Sequence, residues 1–218
     1  MRVLLFGPPG VGKGTQADLL TNKYRFTKFS MGDILREEIK LNSSLGGKIG
    51  NYVDQGNLVP DEIVFELVDD FLRENRNAHI LFDGFPRNVN QALSLERSLA
   101  QLDLSLDIAL DMHISEDEII NRLTNRRYCP NCGRIYNYVT DPPKVSDICD
   151  ACGNKLVKRV DDDETIVRRR LAVYEEQTKL LSEHYKSLSV YRVVDAGRSQ
   201  REVFENISEI IDEYLNKR

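Results

Sequence analysis

The apolar positions of this chain fall into two patterns that alternate along its length. Short apolar runs at Val3 to Phe6, Phe26 to Phe29, His79-Ile80-Leu81-Phe82, Ile108 to His113 and Val190 to Val194 have the length and continuity of buried strands. Between them the spacing is helical. One helix is predicted from Lys13 through Ala17, Leu19 and Leu20 to Tyr24. The segment from Ser30 to about Phe71 reads as several helical pieces, broken at Ser43-Ser44, Gly46-Gly47, Gly56 and Pro60. Ser115-Glu116-Asp117-Glu118 is a capping box opening a helix expected to reach about Arg126, and Ser199-Gln200-Arg201-Glu202 opens the last one. Helical spacing also runs from about Asp162 to Lys186.

Strands apolar along their whole length, alternating with helices, imply an α/β fold with a five-stranded parallel sheet flanked by helices on both faces. Two stretches depart from this alternation. Residues 30–59 form a helical insertion. Residues 126–163 hold all four cysteines, the Pro142-Pro143 pair and several aromatic or β-branched residues, the texture of a small β-rich insertion. The core is left with 1–29, 60–125 and 164–218.

Composition narrows the class. Hydrophobic content of 41% and charged content of 30% over 218 residues are those of an ordinary soluble enzyme. A net charge of −5 argues against a general binder of nucleic acid or acidic membrane, so any phosphate site must be a local cluster of cations. The opening Met1 to Gly7 is too short an apolar run for a signal peptide, and no stretch approaches the roughly 18 apolar residues of a membrane span. A cytoplasmic protein is expected.

The first strand runs into Gly7-Pro8-Pro9-Gly10-Val11-Gly12-Lys13-Gly14-Thr15, followed by a helix, which is the context a phosphate loop requires. Glycines let several N–H groups converge on one anion; the helix N-terminus and Lys13 add positive charge. Gly10, Val11, Gly12, Lys13, Gly14 and Thr15 are therefore candidate ATP-binding residues in a three-layer fold of the P-loop NTPase type. Gly14 stands where a magnesium-binding Ser or Thr is usual, which points to Asp83, at the end of its strand, as a magnesium holder acting through water. The cysteines are spaced C-x2-C, sixteen residues, C-x2-C, each pair followed by glycine. Cys129, Cys132, Cys149 and Cys152 thus fit a closed four-thiolate structural zinc site.

Gly7 to Thr15, Gly32-Asp33-Ile34-Leu35-Arg36, Gly56 to Glu62, Asp83-Gly84-Phe85-Pro86-Arg87 and Arg159-Val160-Asp161-Asp162 together resemble the signatures of the adenylate kinase family, in its long-lid, cysteine-bearing branch. The resemblance runs essentially the full length. It implies reversible phosphoryl transfer, ATP + AMP = 2 ADP, in a monomer with a helical AMP-binding insertion and a zinc-binding lid. It places Arg36 and Arg87 at the acceptor, Arg122 and Arg126 at ATP, and Arg159 and Arg170 at the transferred group and AMP. Lys13, Arg87, Arg126, Arg159 and Arg170 make the catalytic set. Arg122 and Arg126, four apart, would share one helix face. Asp161 and Asp162 would orient lid arginines, and backbone near Ile135, Tyr136 and Arg198 would hold the ATP adenine. Asn57, Leu58 and Val59 with Gly84, Phe85 and Pro86 would surround AMP. Gln91 would read its adenine edge, and Met31, where the family usually has a small or hydroxylated residue, would offer only apolar contact.

A phosphate acceptor is already ionised near neutral pH, its second pKa being about 6, so no general base is required. His79, His113 and His184 sit in no catalytic setting, and Arg127, Arg168 and Arg169 read as solvated charges. Two alternatives stay open: another nucleoside monophosphate kinase, with GTP as donor or UMP or CMP as acceptor, and a nucleotide-gated module whose knuckles grip nucleic acid. Asp141, Asp147 and Asp150 dilute Lys144, Lys155 and Lys158 against the second.

Overall fold

A computed structural model describes residues 1–41 and 44–217. Its centre is a sheet of β1 (Arg2–Phe6), β2 (Thr27–Ser30), β3 (Ile80–Asp83), β4 (Ile108–His113) and β7 (Tyr191–Asp195), in the order β2-β3-β1-β4-β7 with every pair parallel. The five expected strands are all present. Alternation sorts their side chains between two cores. Leu4, Phe6, Phe29, Phe82 and Ala109 face one, where Phe29 packs against Phe71, Phe82 and Phe85 with ring centroids 4.8, 5.9 and 5.9 Å away. Val3, Leu5, Leu81, Leu110 and Met112 face the other, closed by helices α1 (Lys13–Tyr24) and α9 (Gln200–Asn216). Burial on both faces is why these strands read as continuous apolar runs.

The segment between β2 and β3 is helical, as expected: α2 (Met31–Lys40), α3 (Ser44–Asp54) and α4 (Asp61–Glu74). Of the break expected at Ser43-Ser44, Ser43 lies outside the described residues. Helix α5 (Val89–Gln101) follows β3, and α6 (Glu116–Thr124) follows β4. Ser115 caps α6 by accepting the Glu118 N–H at 3.4 Å, while the Glu118 carboxylate turns to Arg122 at 3.0 Å instead of closing the box. At Ser199 both halves of the box are made.

Helix α6 stops before the expected end. Asn125 caps it, its side chain donating to the Asn121 carbonyl at 2.9 Å, and Arg126 opens β5 (Arg126–Tyr128), which pairs antiparallel with β6 (Ile135–Asn137). Arg122 and Arg126 therefore do not share a helix face: the hairpin claims the backbone at 126. The lid region holds this hairpin and a small core of Cys129, Tyr136, Cys149 and Leu156. After a 3-10 turn at Val160–Asp162 come α7 (Glu164–Val173), a π turn at Tyr174–Thr178, and α8 (Leu180–Lys186). No described helix is long and apolar enough to cross a membrane.

Candidate active site

The sheet delivers its loops to one edge. At the carboxyl end of β1 the chain turns through Gly7, whose approach to β4 is so close that a Cβ would stand 2.4 Å from the Met112 carbonyl oxygen. At Gly10, with φ of +81°, a Cβ would stand 2.7 Å from Leu123 Cγ. Gly12 caps α1 without a side-chain acceptor and the first turn carries no acid, so the N–H groups of Lys13, Gly14 and Thr15 keep their polarity for an anion. Lys13 folds back on the loop, donating to the carbonyls of Gly7 and Pro8, both at 2.9 Å. Burial pulls its pKa down to about 7, against the pull of Asp83, with Arg87, Arg170 and Arg126 lowering it further. Asp83, ending β3, comes up to the loop: a Cβ on Gly14 would lie 3.4 Å from its Oδ2. Burial raises the Asp83 pKa, while Lys13 and Lys28 oppose the rise.

Guanidiniums gather opposite the loop. Arg87 is held by its Nε donating to the Gly84 carbonyl at 2.8 Å, and Thr178 in the π turn donates to the Arg87 carbonyl at 2.7 Å. Burial, then neighbouring Arg170, lowers the Arg87 pKa to about 10. Arg159 is drawn to about 10 as well, by burial and then by Arg126 and Arg36. Its guanidinium carbon lies over the Tyr128 ring, 5.4 Å from the centroid, and its buried Nε has no acceptor among the described residues. So much like charge in one place is tolerated because two acids interleave it. Arg126 forks onto fully buried Asp162 at 2.7 and 2.5 Å. Arg170 donates to the Asp161 carboxylate at 2.9 Å and its carbonyl at 3.0 Å, and lies 3.5 Å from Asp162. Burial would raise the Asp161 pKa, but Arg170, Arg126 and Arg159 outweigh it and hold it low.

Lys13, Asp83, Arg36, Arg87, Arg126, Arg159, Arg170, Asp161 and Asp162 thus form one connected electrostatic cluster, each feeling several of the others. Arg36 pairs with Asp33 at 2.5 Å, and Lys28 sits between Asp18 at 2.6 Å and Asp33 at 3.7 Å. Arg122 reaches the loop through backbone, donating to Val11 O at 3.3 Å and Ala196 O at 3.1 Å. Arg198 stands exposed, paired with Asp195 at 3.3 Å. Tyr136 turns its side chain into the lid core. Met31 and Val59 are buried in the main apolar cluster, with Phe85. Gln91 is buried, its Oε1 accepting from the Arg87 N–H and its Nε2 donating to Asp61 Oδ1, each at 2.7 Å.

Three participants had no usable signal in the sequence. Thr178 and Lys28 reach the site by tertiary packing. Arg169, expected as a solvated charge, donates through Nε and Nη2 to Asn57 Oδ1 at 3.2 Å, beside Gly56, where a Cβ would meet Arg170 Cγ at 3.0 Å. Asp33 was within reach of the sequence, since it stands three residues before Arg36 in the run Gly32 to Arg36, one helical turn away. Arg168 is a surface charge as expected, paired with Glu164 at 2.8 Å.

In the lid the four cysteine sulfurs lie within 4.8 Å of one another, with Cys129–Cys152 at 3.4 Å and Cys132–Cys149 at 3.5 Å. Four thiolates at Zn–S distances of about 2.3 Å stand roughly 3.8 Å apart, so the group fits a tetrahedral metal. The Tyr136 hydroxyl accepts from the Asp150 N–H at 2.7 Å and lies 3.5 Å from Cys149 Sγ; that contact lowers the Cys149 pKa to about 6.

The family model for adenylate kinase matches residues 5–190. The chain belongs to the adenylate kinase family. It is 44% identical over 213 residues to an adenylate kinase of Clostridium novyi, covering 97% of this chain and 99% of the relative. An adenylate kinase of a Thermoanaerobacter species is 42% identical over 212 residues, covering 97% and 98%. One from Thermococcus kodakarensis is 40% identical over 218 residues, covering 100% and 96%.

Proposed function

We propose that the chain catalyses ATP + AMP = 2 ADP by reversible in-line transfer, with magnesium accompanying ATP. The observation that carries the reading is the gathering of Arg36, Arg87, Arg126, Arg159 and Arg170 opposite a phosphate loop that carries Lys13, with no histidine among them. Such a set suits two phosphate chains meeting end to end, where transfer needs alignment and charge neutralisation and no proton shuttle.

The loop backbone from Gly10 to Thr15 and Lys13 would hold the ATP phosphates, with Arg122 and Arg126 beside them and backbone near Ile135, Tyr136 and Arg198 at the adenine. Arg36 and Arg87 would take the AMP phosphate, with Asn57 to Val59, Gly84 to Pro86 and Met31 around the nucleoside and Gln91 at the base edge. Arg159 and Arg170, steered by Asp161 and Asp162, would face the group in transit. Residues 1–29, 60–125 and 164–218 act as the core, 30–59 as the AMP-binding insertion and 126–163 as the lid. Asp83 would hold magnesium through water, and the ion supplies charge neutralisation at the donor phosphates when bound.

Zinc at Cys129, Cys132, Cys149 and Cys152 would be structural, since four thiolates leave no open position, and would stiffen a lid with little core of its own. A lid moving as one piece excludes water that would otherwise hydrolyse the donor. A monomer in the cytoplasm with no nucleic-acid partner agrees with the acidic balance and the mixed charges of the knuckles. The test is ADP formation from equimolar ATP and AMP with magnesium, followed by a panel of CMP, UMP and dAMP with ATP and GTP. Absence of ADP refutes the proposal; a preferred pyrimidine acceptor replaces it.

A further inference from the structure

A carboxamide is a poor reader of bases if it is free to turn. Its two ends have nearly the same shape, one donating and one accepting, so a half-turn exchanges their meaning. Gln91 is the one amide in the proposed acceptor pocket assigned to the base. Its surroundings remove that ambiguity. The Arg87 backbone N–H can only donate, and it lies 2.7 Å from Gln91 Oε1. The Asp61 carboxylate can only accept, and its Oδ1 lies 2.7 Å from Gln91 Nε2. The Gln91 backbone is pinned too, its N–H donating to Asn88 Oδ1 at 2.8 Å.

Asp61 is the centre of this arrangement. It opens α4 directly behind Pro60 and gathers three side-chain amides from the start of α5: Asn88 at 3.2 Å, Asn90 at 2.8 Å and Gln91 at 2.7 Å. Every one of these amides must present its NH2 end to the carboxylate. For Gln91 the consequence is that one lone pair on Oε1 and one N–H on Nε2 remain, in a fixed order.

We propose that Asp61 is a specificity-determining positioning residue: by forbidding the flipped Gln91 amide, it makes the acceptor site accept adenine and refuse 6-oxopurines. The inference rests on the reading of Gln91 as the base contact. Adenine presents an acceptor at N1 beside a donor at N6. Hypoxanthine and guanine present a donor at N1 beside an acceptor at O6, the same pattern reversed. An amide able to flip satisfies both; an amide clamped between an obligate donor and an obligate acceptor satisfies one and leaves the other with opposed dipoles in a buried place.

The test compares AMP with inosine monophosphate as acceptors, by kcat/KM in ADP-coupled or direct product assays. In Asp61→Asn the side chain keeps its shape but can turn either end to Gln91, so flipping costs the Arg87 N–H bond and the Asn88 bond on the same oxygen, and no longer sets an oxygen against a carboxylate. The AMP to IMP ratio is expected to fall about tenfold, through a higher KM for AMP and a gain with IMP; bidentate base contacts discriminate roughly 5- to 150-fold, and the Arg87 N–H keeps part of the clamp. Asp61 acting only as a tie between α4 and α5 lowers both acceptors together and leaves the ratio unmoved, which overturns the proposal. Should Asp61→Asn fail to fold, Asp61→Ser also lacks an obligate acceptor and carries the same expectation. Gln91→Leu separates the two levels. If it collapses the ratio while the Asp61 variants do not, Gln91 reads the base and the Asp61 proposal is wrong. If Gln91→Leu leaves the ratio intact, the reading of Gln91 itself fails, and the proposal with it.

Discussion

Replacing Asp162 by asparagine tests whether the lid arginines work because they are held. Arg126 lays two nitrogens on a carboxylate with no exposed surface, at 2.7 and 2.5 Å, and is itself 16% exposed. Asparagine keeps one acceptor and turns an NH2 against the second guanidinium nitrogen. A hydrogen bond to a charged group contributes about 1.5–3 kcal/mol, and one is lost outright, so the alignment of Arg126 weakens by roughly 2–3 kcal/mol. If Arg126 meets its phosphate fully only in the transition state, kcat falls about 30- to 160-fold. The melting temperature should drop by about 5 to 10 °C, leaving the protein folded at 25 °C. Steady-state ADP formation at saturating ATP and AMP gives kcat, and Arg126→Ala in both backgrounds closes a double-mutant cycle. If Asp162 acts through Arg126, the alanine substitution costs much less once Asp162 is gone. A kcat within threefold of the parent, or an equal cost of Arg126→Ala in both backgrounds, refutes the reasoning.

Other outcomes follow from the same geometry. Metal analysis should find one zinc per chain, and chelation should melt the lid, seen as a new low-temperature transition, before chemistry is abolished; full loss of activity with unchanged folding would instead make the metal catalytic. Lys13, at about 7 in the free protein, is roughly half charged at pH 7, and polyphosphate raises its pKa. Binding of Mg-ATP should therefore take up about half a proton at pH 7 and approach one near pH 8.5, with affinity declining as pH rises; calorimetry in two buffers of different ionisation enthalpy measures it, and a buffer-independent heat contradicts it. Met31 is 2% exposed within the main core, so Met31→Thr should destabilise by about 1–3 kcal/mol in chemical denaturation. An AMP KM changed more than tenfold at unchanged stability would assign Met31 to the base instead.

The sheet was legible because its strands are buried on both faces, which leaves unbroken apolar runs, and the phosphate loop because its backbone turns through positive φ at Gly7 and Gly10, +141° and +81°, a local demand for glycine. The capping box at Ser199 formed for the same local reason. What failed were positions where distant backbone decides. Helix α6 had the charge pattern to continue past Asn125, but pairing of β5 with β6 needed Arg126 in an extended strand. The π turn that places Thr178 under Arg87 leaves no periodic signature, and Arg169 looked solvated because its partner Asn57 lies in the other half of the chain. The sequence draws attention to Gln91 by its place four residues after Arg87; the clamp of Asp61 on its amide was not legible, since a hydrogen bond over thirty positions has no spacing rule.

The crowd of guanidiniums facing the phosphate loop has one more implication. Before transfer, ATP and AMP bring a certain summed negative charge into that enclosure; afterwards two ADP molecules hold the same sum, with one phosphoryl group shifted along a line. The cations Lys13, Arg36, Arg87, Arg126, Arg159 and Arg170, offset in part by Asp33, Asp83, Asp161 and Asp162, meet the same total on both sides and have little electrostatic reason to favour either bound pair. The two bound pairs then lie close in energy on the protein, so neither is trapped, while the overall direction follows the nucleotide concentrations outside, as for any catalyst.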